Sequence, residues 1–219
     1  MATVFLHIGK TGGTAFRRAL RPYAERHQLK LVGHPVSLMD VAPPDGVVFS
    51  VREPIDRFVS GFNTRLRKGY PRRVGSDWER EEERRAFALF QSPNSLAEAL
   101  SDPALGDAAR DAMGGIGHVR HSLKKWLRST DYLAGRAGDI RMVCWTPELD
   151  ADFEHVKRLL GLPAEIALPR DEIGTHRTPD GFDRTLSPLA VQNLTAWYAD
   201  DFPIYEACLE LRRKLLANG

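Results

Sequence analysis

Apolar residues in this chain come in two arrangements that alternate along it: short continuous runs, and stretches in which they recur every three or four positions. Residues 3–8 form the first run, apolar and β-prone, and it stops at Gly9. Phe16, Ala19, Leu20 and Tyr23 then follow at i, i+3, i+4 and i+7, the spacing of one helix face. Residues 29–32 predict a second short strand, broken by Gly33-His34-Pro35. The run Val47-Val48-Phe49-Ser50-Val51 is nearly continuous in apolar residues, as in a strand buried on both faces of a parallel sheet. It ends at Arg52-Glu53-Pro54. Pro54 suits a first helical position, and Ile55, Phe58, Val59, Phe62 and Leu66 mark the buried face of the helix after it. Residues 139–145 predict another strand. Thr146 is placed to cap the next helix, with Pro147 in its first turn, Phe153, Val156 and Leu160 on its buried face and Gly161 at its end. After a loop over 162–183, helices are expected from Ser187-Pro188 to about 201 and from 203 to 216. Strands alternating with helices imply an α/β fold, a three-layer α/β/α sandwich around a central, mostly parallel sheet.

The middle of the chain reads differently. Between residues 65 and 85 the sequence is densely charged, with Arg65, Arg67, Lys68, Arg72 and Arg73 ahead of the mixed run from Glu79 to Arg85. The expected arrangement is a solvated helix face or a mobile loop, with an acceptor-binding insertion as the alternative. Two or three shorter helices are expected over 95–130, broken by Pro103 and by Gly114-Gly115-Ile116-Gly117.

At 219 residues the chain suits one substantial domain, residues 1–219. A 42% hydrophobic, 27% charged composition with net charge +2 places it among ordinary globular proteins and gives no cause to expect nucleic acid as a partner. Cys144 and Cys208 lack metal-ligand or CxxC spacing and read as buried apolar residues. With no basic n-region, no long apolar h-region and no run approaching the roughly 20 apolar residues of a membrane span, a cytoplasmic protein with no membrane span is expected.

Candidate chemistry sits where the period changes from strand to helix. Gly9, Gly12 and Gly13 allow backbone N–H groups to turn inward around an anion, and the following helix aims its positive end at the same place. Lys10 adds a mobile charge; Thr11 and Thr14 add hydroxyls. Ligands of such sheets bind at the carboxyl ends of the strands. Gly9 to Thr14, His34 and Arg52 all fall at predicted carboxyl ends. Arg52, with Ser60 on the next helix, makes a second anion-binding feature, so a ligand with phosphates at two places is implied.

Two segments carry a family resemblance. His7-Ile8-Gly9-Lys10-Thr11-Gly12-Gly13-Thr14 resembles the 5′-phosphosulfate loop, H-x-P-K-T-G-G-T, of the carbohydrate (heparan/chondroitin-type) sulfotransferases. Val51-Arg52-Glu53-Pro54-Ile55-Asp56-Arg57-Phe58-Val59-Ser60-Gly61-Phe62 resembles their 3′-phosphate motif, R-D-P-x-x-R-x-x-S-x-Y. Gly9 stands where the family usually has proline, Glu53 where aspartate is commoner and Phe62 where tyrosine is frequent; none of these removes a phosphate ligand. The resemblance implies a P-loop-like fold and transfer of a sulfuryl group from 3′-phosphoadenosine 5′-phosphosulfate (PAPS) to a hydroxyl or amine, without a metal. It assigns Lys10 to the charge on the departing phosphate. It gives Thr11, Gly12, Gly13 and Thr14 to the 5′-phosphosulfate, and Arg52 and Ser60 to the 3′-phosphate. His34 is the favoured base because an imidazole titrates near neutrality. His118 and His121 are alternatives, Arg120 is a possible contact to donor or acceptor, and His7 reads as structural. The acceptor, a small molecule or a carbohydrate, stays open among a polysaccharide, a glycolipid, a small glycoside and a secondary metabolite.

Two other classes compete. A P-loop nucleotide kinase would share the fold, but Lys10 precedes Gly12-Gly13 instead of following a glycine-framed GxxxxGK[ST] loop. A non-catalytic scaffold with a degenerate nucleotide site is the other. The glutamates interleaved among the arginines of 65–85 weigh against a nucleic-acid surface.

Overall fold

In a computed structural model, which describes residues 2–71, 73–75, 77–78, 80–171 and 182–217, four strands lie side by side in one sheet, all parallel. They are β1 (Thr3–Leu6), β2 (Leu29–Leu31), β3 (Gly46–Val51) and β4 (Ile140–Trp145), in the order β2-β1-β3-β4. Parallel neighbours need crossovers, and these put helices on both faces. Every residue of β1 and β3 is accordingly buried. The chain forms two compact units. The first comprises Met1–Arg52, Leu123–His176 and Asp200–Gly219, as far as these are described, and the second Glu53–Ser122 and Arg177–Ala199.

The first unit is the three-layer sandwich that the alternation of periods predicts. On one face Phe5, Val48, Met142 and Cys144 meet Ala15, Phe16 and Leu20 of α1 (Gly13–Leu20). Phe153 and Val156 of a later helix, Leu149–Leu160, join them there. On the other face Val4, Leu6, Val47, Phe49, Val51 and Val143 pack with Leu123, Trp126, Leu127 and Leu133, and with Ile204, Tyr205 and Cys208. Side chains alternate between the faces along each strand, with one interruption. Val47 pairs with Ile140 but Val48 with Met142, so Arg141 is an extra residue in β4. This bulge leaves Ile140 and Val143 on one face and Met142 and Cys144 on the other. Both cysteines are buried and free, as their surroundings in the sequence imply, and burial pushes both thiols up.

The second unit is helical: α2 (Pro54–Leu66), α3 (Glu81–Leu89), α4 (Pro93–Ala99) and α5 (Gly106–Gly115). The first unit then supplies α6 (Lys124–Leu127), α7 (Thr130–Gly135) and α8 (Leu149–Leu160). The chain returns to the second unit with α9 (Pro188–Trp197) and to the first with α10 (Asp201–Ala217). Phe58, Phe62, Phe87 and Tyr198 form an aromatic core, with Phe62 meeting Phe87 edge-on at 5.3 Å and Trp78 stacking on Phe87 at 5.2 Å.

Two expectations need correcting. Thr146 does not cap α8: residues Thr146–Glu148 form a 3-10 turn, and the Thr146 hydroxyl donates to the Val51 carbonyl at 2.8 Å. The charged stretch is solvated only in part. Glu81, Arg84 and Arg85 pair at the surface, but Arg65 closes a two-pronged ion pair with Glu83 at 2.7 and 2.5 Å while both are buried. The Gly117 N–H donates to the same carboxylate at 2.8 Å. A buried pair of this kind holds its place by geometry, because either charge left alone inside the protein is costly. Arg72 and Glu79 of this stretch, and residues 172–181 of the expected 162–183 loop, lie outside the described residues. Among the described residues no helix is long and apolar enough to cross a membrane.

Replacing Glu83 by alanine leaves the Arg65 guanidinium buried without this carboxylate. Chemical denaturation should show a loss of about 3–5 kcal/mol, and a loss below about 1 kcal/mol would mean that the pair does not hold the helices together.

Candidate active site

All four strands of the first unit point their carboxyl ends to the same edge, and every candidate residue of that unit follows one of those ends. Gly9 to Thr14 follow β1, His34 follows β2, Arg52 follows β3 and Thr146 follows β4. Ser60 lies on α2 and belongs to the second unit. His118, Arg120 and His121 belong to that unit as well. There the carbonyl of His121 receives a hydrogen bond from the buried guanidinium of Arg57, and His118 packs on Gly61.

The loop after β1 is built from alternating backbone signs. Lys10 has φ 70° and Gly12 φ 88°, and such alternation turns successive N–H groups toward one side. A left-handed lysine carries a strain of roughly 1–2 kcal/mol. Gly12 is the N-cap of α1 and, being glycine, makes no side-chain cap bond, so the helix presents the positive end of its dipole at this loop. A Cβ on Gly12 would run into Leu149, and one on Gly13 would lie 2.7 Å from Nε2 of His7. Both positions need glycine.

Thr11 is not oriented as the motif suggests. It is fully buried; its hydroxyl donates to the Ile8 carbonyl at 2.9 Å and shares a 2.9 Å hydrogen bond with the Ser50 hydroxyl. One hydroxyl has one proton, and here the fold takes it. Thr11 therefore anchors the loop to β3, and its side chain is removed from the set of phosphate ligands. Lys10, Gly12 and Thr14 remain partly exposed along the loop, and Gly13 is buried beneath His7.

His34 lies beside this loop. Its ring is 4.0 Å from that of His7, centroid to centroid, and its Nδ1 hydrogen-bonds to the His7 carbonyl at 3.1 Å. A carbonyl only accepts, so Nδ1 carries the proton and the neutral ring has its lone pair on Nε2. Trp126 holds the segment from the other side, donating its indole N–H to the His34 carbonyl at 2.9 Å. The edge of the same indole lies 3.3 Å from where a Cβ on Gly9 would sit. Burial holds His34 below the ordinary imidazole range, the hydrogen bond to His7 acts in the opposite direction, and the charges of Lys125, Arg17 and Lys10 lower it further.

Arg17 and Lys125 were not anticipated from the sequence. The available signal for Arg17 was its spacing, three residues after Thr14 on the same helix and hence on the same face as the loop. Lys125 had no local signal, because α6 is brought to the loop only by the fold. Among the described residues no group of three or more His, Cys, Asp or Glu is arranged to hold a metal ion.

Two measurements check this geometry. Gly13→Ala must displace the His7 ring, and thermal unfolding should report a loss of about 1–3 kcal/mol, the usual cost of overpacking; an unchanged midpoint would show that His7 yields freely. His34 titrates lower in the folded chain than the 6.5 of a free imidazole, so the unfolded chain binds the proton first. Stability should therefore be full above pH 6.5 and fall as pH drops through the folded value. His34→Asn, whose amide can keep the donation to His7, should lose that slope. A ring resonance titrating at or above 6.5 would contradict the assignment. Compared with known proteins, the chain finds no matching family model, no matching curated protein and no matching solved structure.

Proposed function

We propose that this protein is a sulfotransferase that moves a sulfuryl group from PAPS to a hydroxyl or amine of an acceptor, with a carbohydrate or glycoconjugate hydroxyl as the favoured class. One observation carries the reading: a neutral imidazole, tied back through Nδ1, shares the carboxyl edge of the sheet with an uncapped glycine loop and three cations, Lys10, Arg17 and Lys125. That combination suits a reaction in which a hydroxyl proton is removed next to a strongly anionic donor.

The residues present fit the donor. Gly12 and Gly13 leave room for backbone approach, and the Arg17 Nε is buried with no hydrogen-bond partner among the described residues. When bound, PAPS supplies an activated sulfonate on a phosphate leaving group. The Lys10 ammonium balances the charge that grows on the leaving phosphate, and the amides of Gly12, Gly13 and Thr14 hold its oxygens. His34 accepts the acceptor proton at Nε2. Arg52, at the end of β3, offers a planar fork for the 3′-phosphate. A kinase of related fold would be expected to place a metal-binding carboxylate at such a strand end. Ser60 belongs to the second unit, and the reading does not depend on it.

Calorimetric titration with 3′-phosphoadenosine 5′-phosphate, with AMP and with ADP plus Mg²⁺ as controls, tests this directly. The 3′-phosphorylated nucleotide should bind selectively and without Mg²⁺; preference for ADP with Mg²⁺ would favour a kinase, and no binding would favour a scaffold. Arg52→Ala should weaken that binding at least tenfold, and Lys10→Ala should lower turnover far more than affinity. Turnover in the wild type should fall on the acid side with an apparent pKa below 6.5, the limb that belongs to His34.

A further inference from the structure

Two dibasic pairs of the first unit divide their charges in the same way. In Arg17-Arg18, Arg18 reaches Asp171 at 3.4 Å, while Arg17 has no carboxylate partner among the described residues and buries its Nε without a hydrogen bond. In Lys124-Lys125, Lys124 pairs with Asp200 at 2.8 Å, while Lys125 has no such partner among the described residues. Its ammonium lies over the Trp126 ring at 5.0 Å, and burial lowers its pKa. Trp126 in turn touches the Gly9 position and binds the His34 carbonyl, so Lys125 is carried to the glycine loop by a chain of direct contacts. Arg17 comes to the same place along α1, one helical turn beyond Gly13 and Thr14.

Uncompensated cations that are partly removed from water are unfavourable unless an anion completes them. Lys10 serves the loop itself. We infer that Arg17 and Lys125 are two further catalytic residues, which grip the sulfonate oxygens of the group in transfer; this rests on the sulfotransferase reading above. In that step the acceptor O–S bond forms as the S–O bond to the 5′-phosphate breaks. The acceptor proton passes to Nε2 of His34, and 3′-phosphoadenosine 5′-phosphate leaves. The two cations face the negative oxygens throughout, and they also hold His34 neutral until it takes the proton. Among the described residues, the charged and titratable groups that act on His34 include Lys10 from the loop, Arg17 from α1, Lys125 from α6 and His7 just after β1.

Arg17→Met and Lys125→Met test the inference, with Lys125→Arg as the conservative control. Each methionine variant should lower kcat by roughly ten- to a hundredfold. Affinity for 3′-phosphoadenosine 5′-phosphate, which lacks the sulfonate, and KM for the acceptor should both stay within about threefold of wild type. Lys125→Arg should recover most of the rate, and the acid limb of the pH profile should move to higher pH in both methionine variants. A raised acceptor KM with unchanged kcat would make these residues acceptor ligands and overturn the inference. Parallel losses in bisphosphate affinity and rate would overturn it as well.

A second measurement separates this failure from failure of the sulfotransferase reading. Inorganic sulfate should raise the apparent pKa of the His34 ring, followed by NMR, in the wild type and not in the Arg17→Met/Lys125→Met double variant. No response in the wild type would remove the anion pocket itself. A response from a protein that does not bind the bisphosphate would remove the donor and leave the pocket in place.

Discussion

The turn after β1 depends on one buried hydroxyl. Thr11 sits beneath the loop, bonded to the Ile8 carbonyl just after β1 and to the Ser50 hydroxyl on the neighbouring β3. Its own carbonyl and that of Val51 receive the Thr146 hydroxyl, at 3.4 and 2.8 Å. Three of the four strand ends are joined through two threonines, and a loop with that much support below it can keep strained residues above. Lys10 stays left-handed, and Gly12 and Gly13 stay against Leu149 and His7. The strain is local, and the hydrogen bonds of the two threonine hydroxyls offset it.

Charge is handled in two ways in this protein. In the helical unit the buried arginine Arg65 meets Glu83, and a backbone N–H completes the carboxylate. That solution neutralises itself and serves packing. At the carboxyl edge of the sheet, Arg17 and Lys125 meet no carboxylate among the described residues, while their sequence neighbours Arg18 and Lys124 do. A fold that places acids beside the outer member of each pair and not the inner one concentrates positive potential where the glycine loop and His34 meet. The buried network on the far side of β4 shows the contrast. There Asp152 of α8 takes two prongs from Arg212 of α10 and the Trp145 N–H, so the same unit does supply an acid where a cation is structural.

How far the chain could be read in advance follows the range of the interactions. The strands, the first helix, the helix after Pro54 and the glycine cap at Gly161 were legible because each depends on residues within a few positions of one another. Gly161 is left-handed, at φ 61°, and Ser187 does cap its helix by accepting from Ala190. Thr146 showed the limit of that logic. Its sequence position suits a cap, but the Val51 carbonyl, 95 residues away along the chain, takes its hydroxyl.

What the sequence by itself determined is the alternating α/β plan and the positions of Lys10, Gly12, Gly13, His34 and Arg52 at strand ends. Periodicity and glycine placement are local properties and need no partner to be recognised. Only the tertiary structure decided that Thr11 points into the fold, that Arg65 and Glu83 are buried together, and that Lys125 joins Arg17 and Lys10 around His34. These depend on which distant side chain takes up a proton or a charge, and that is settled only when the layers pack.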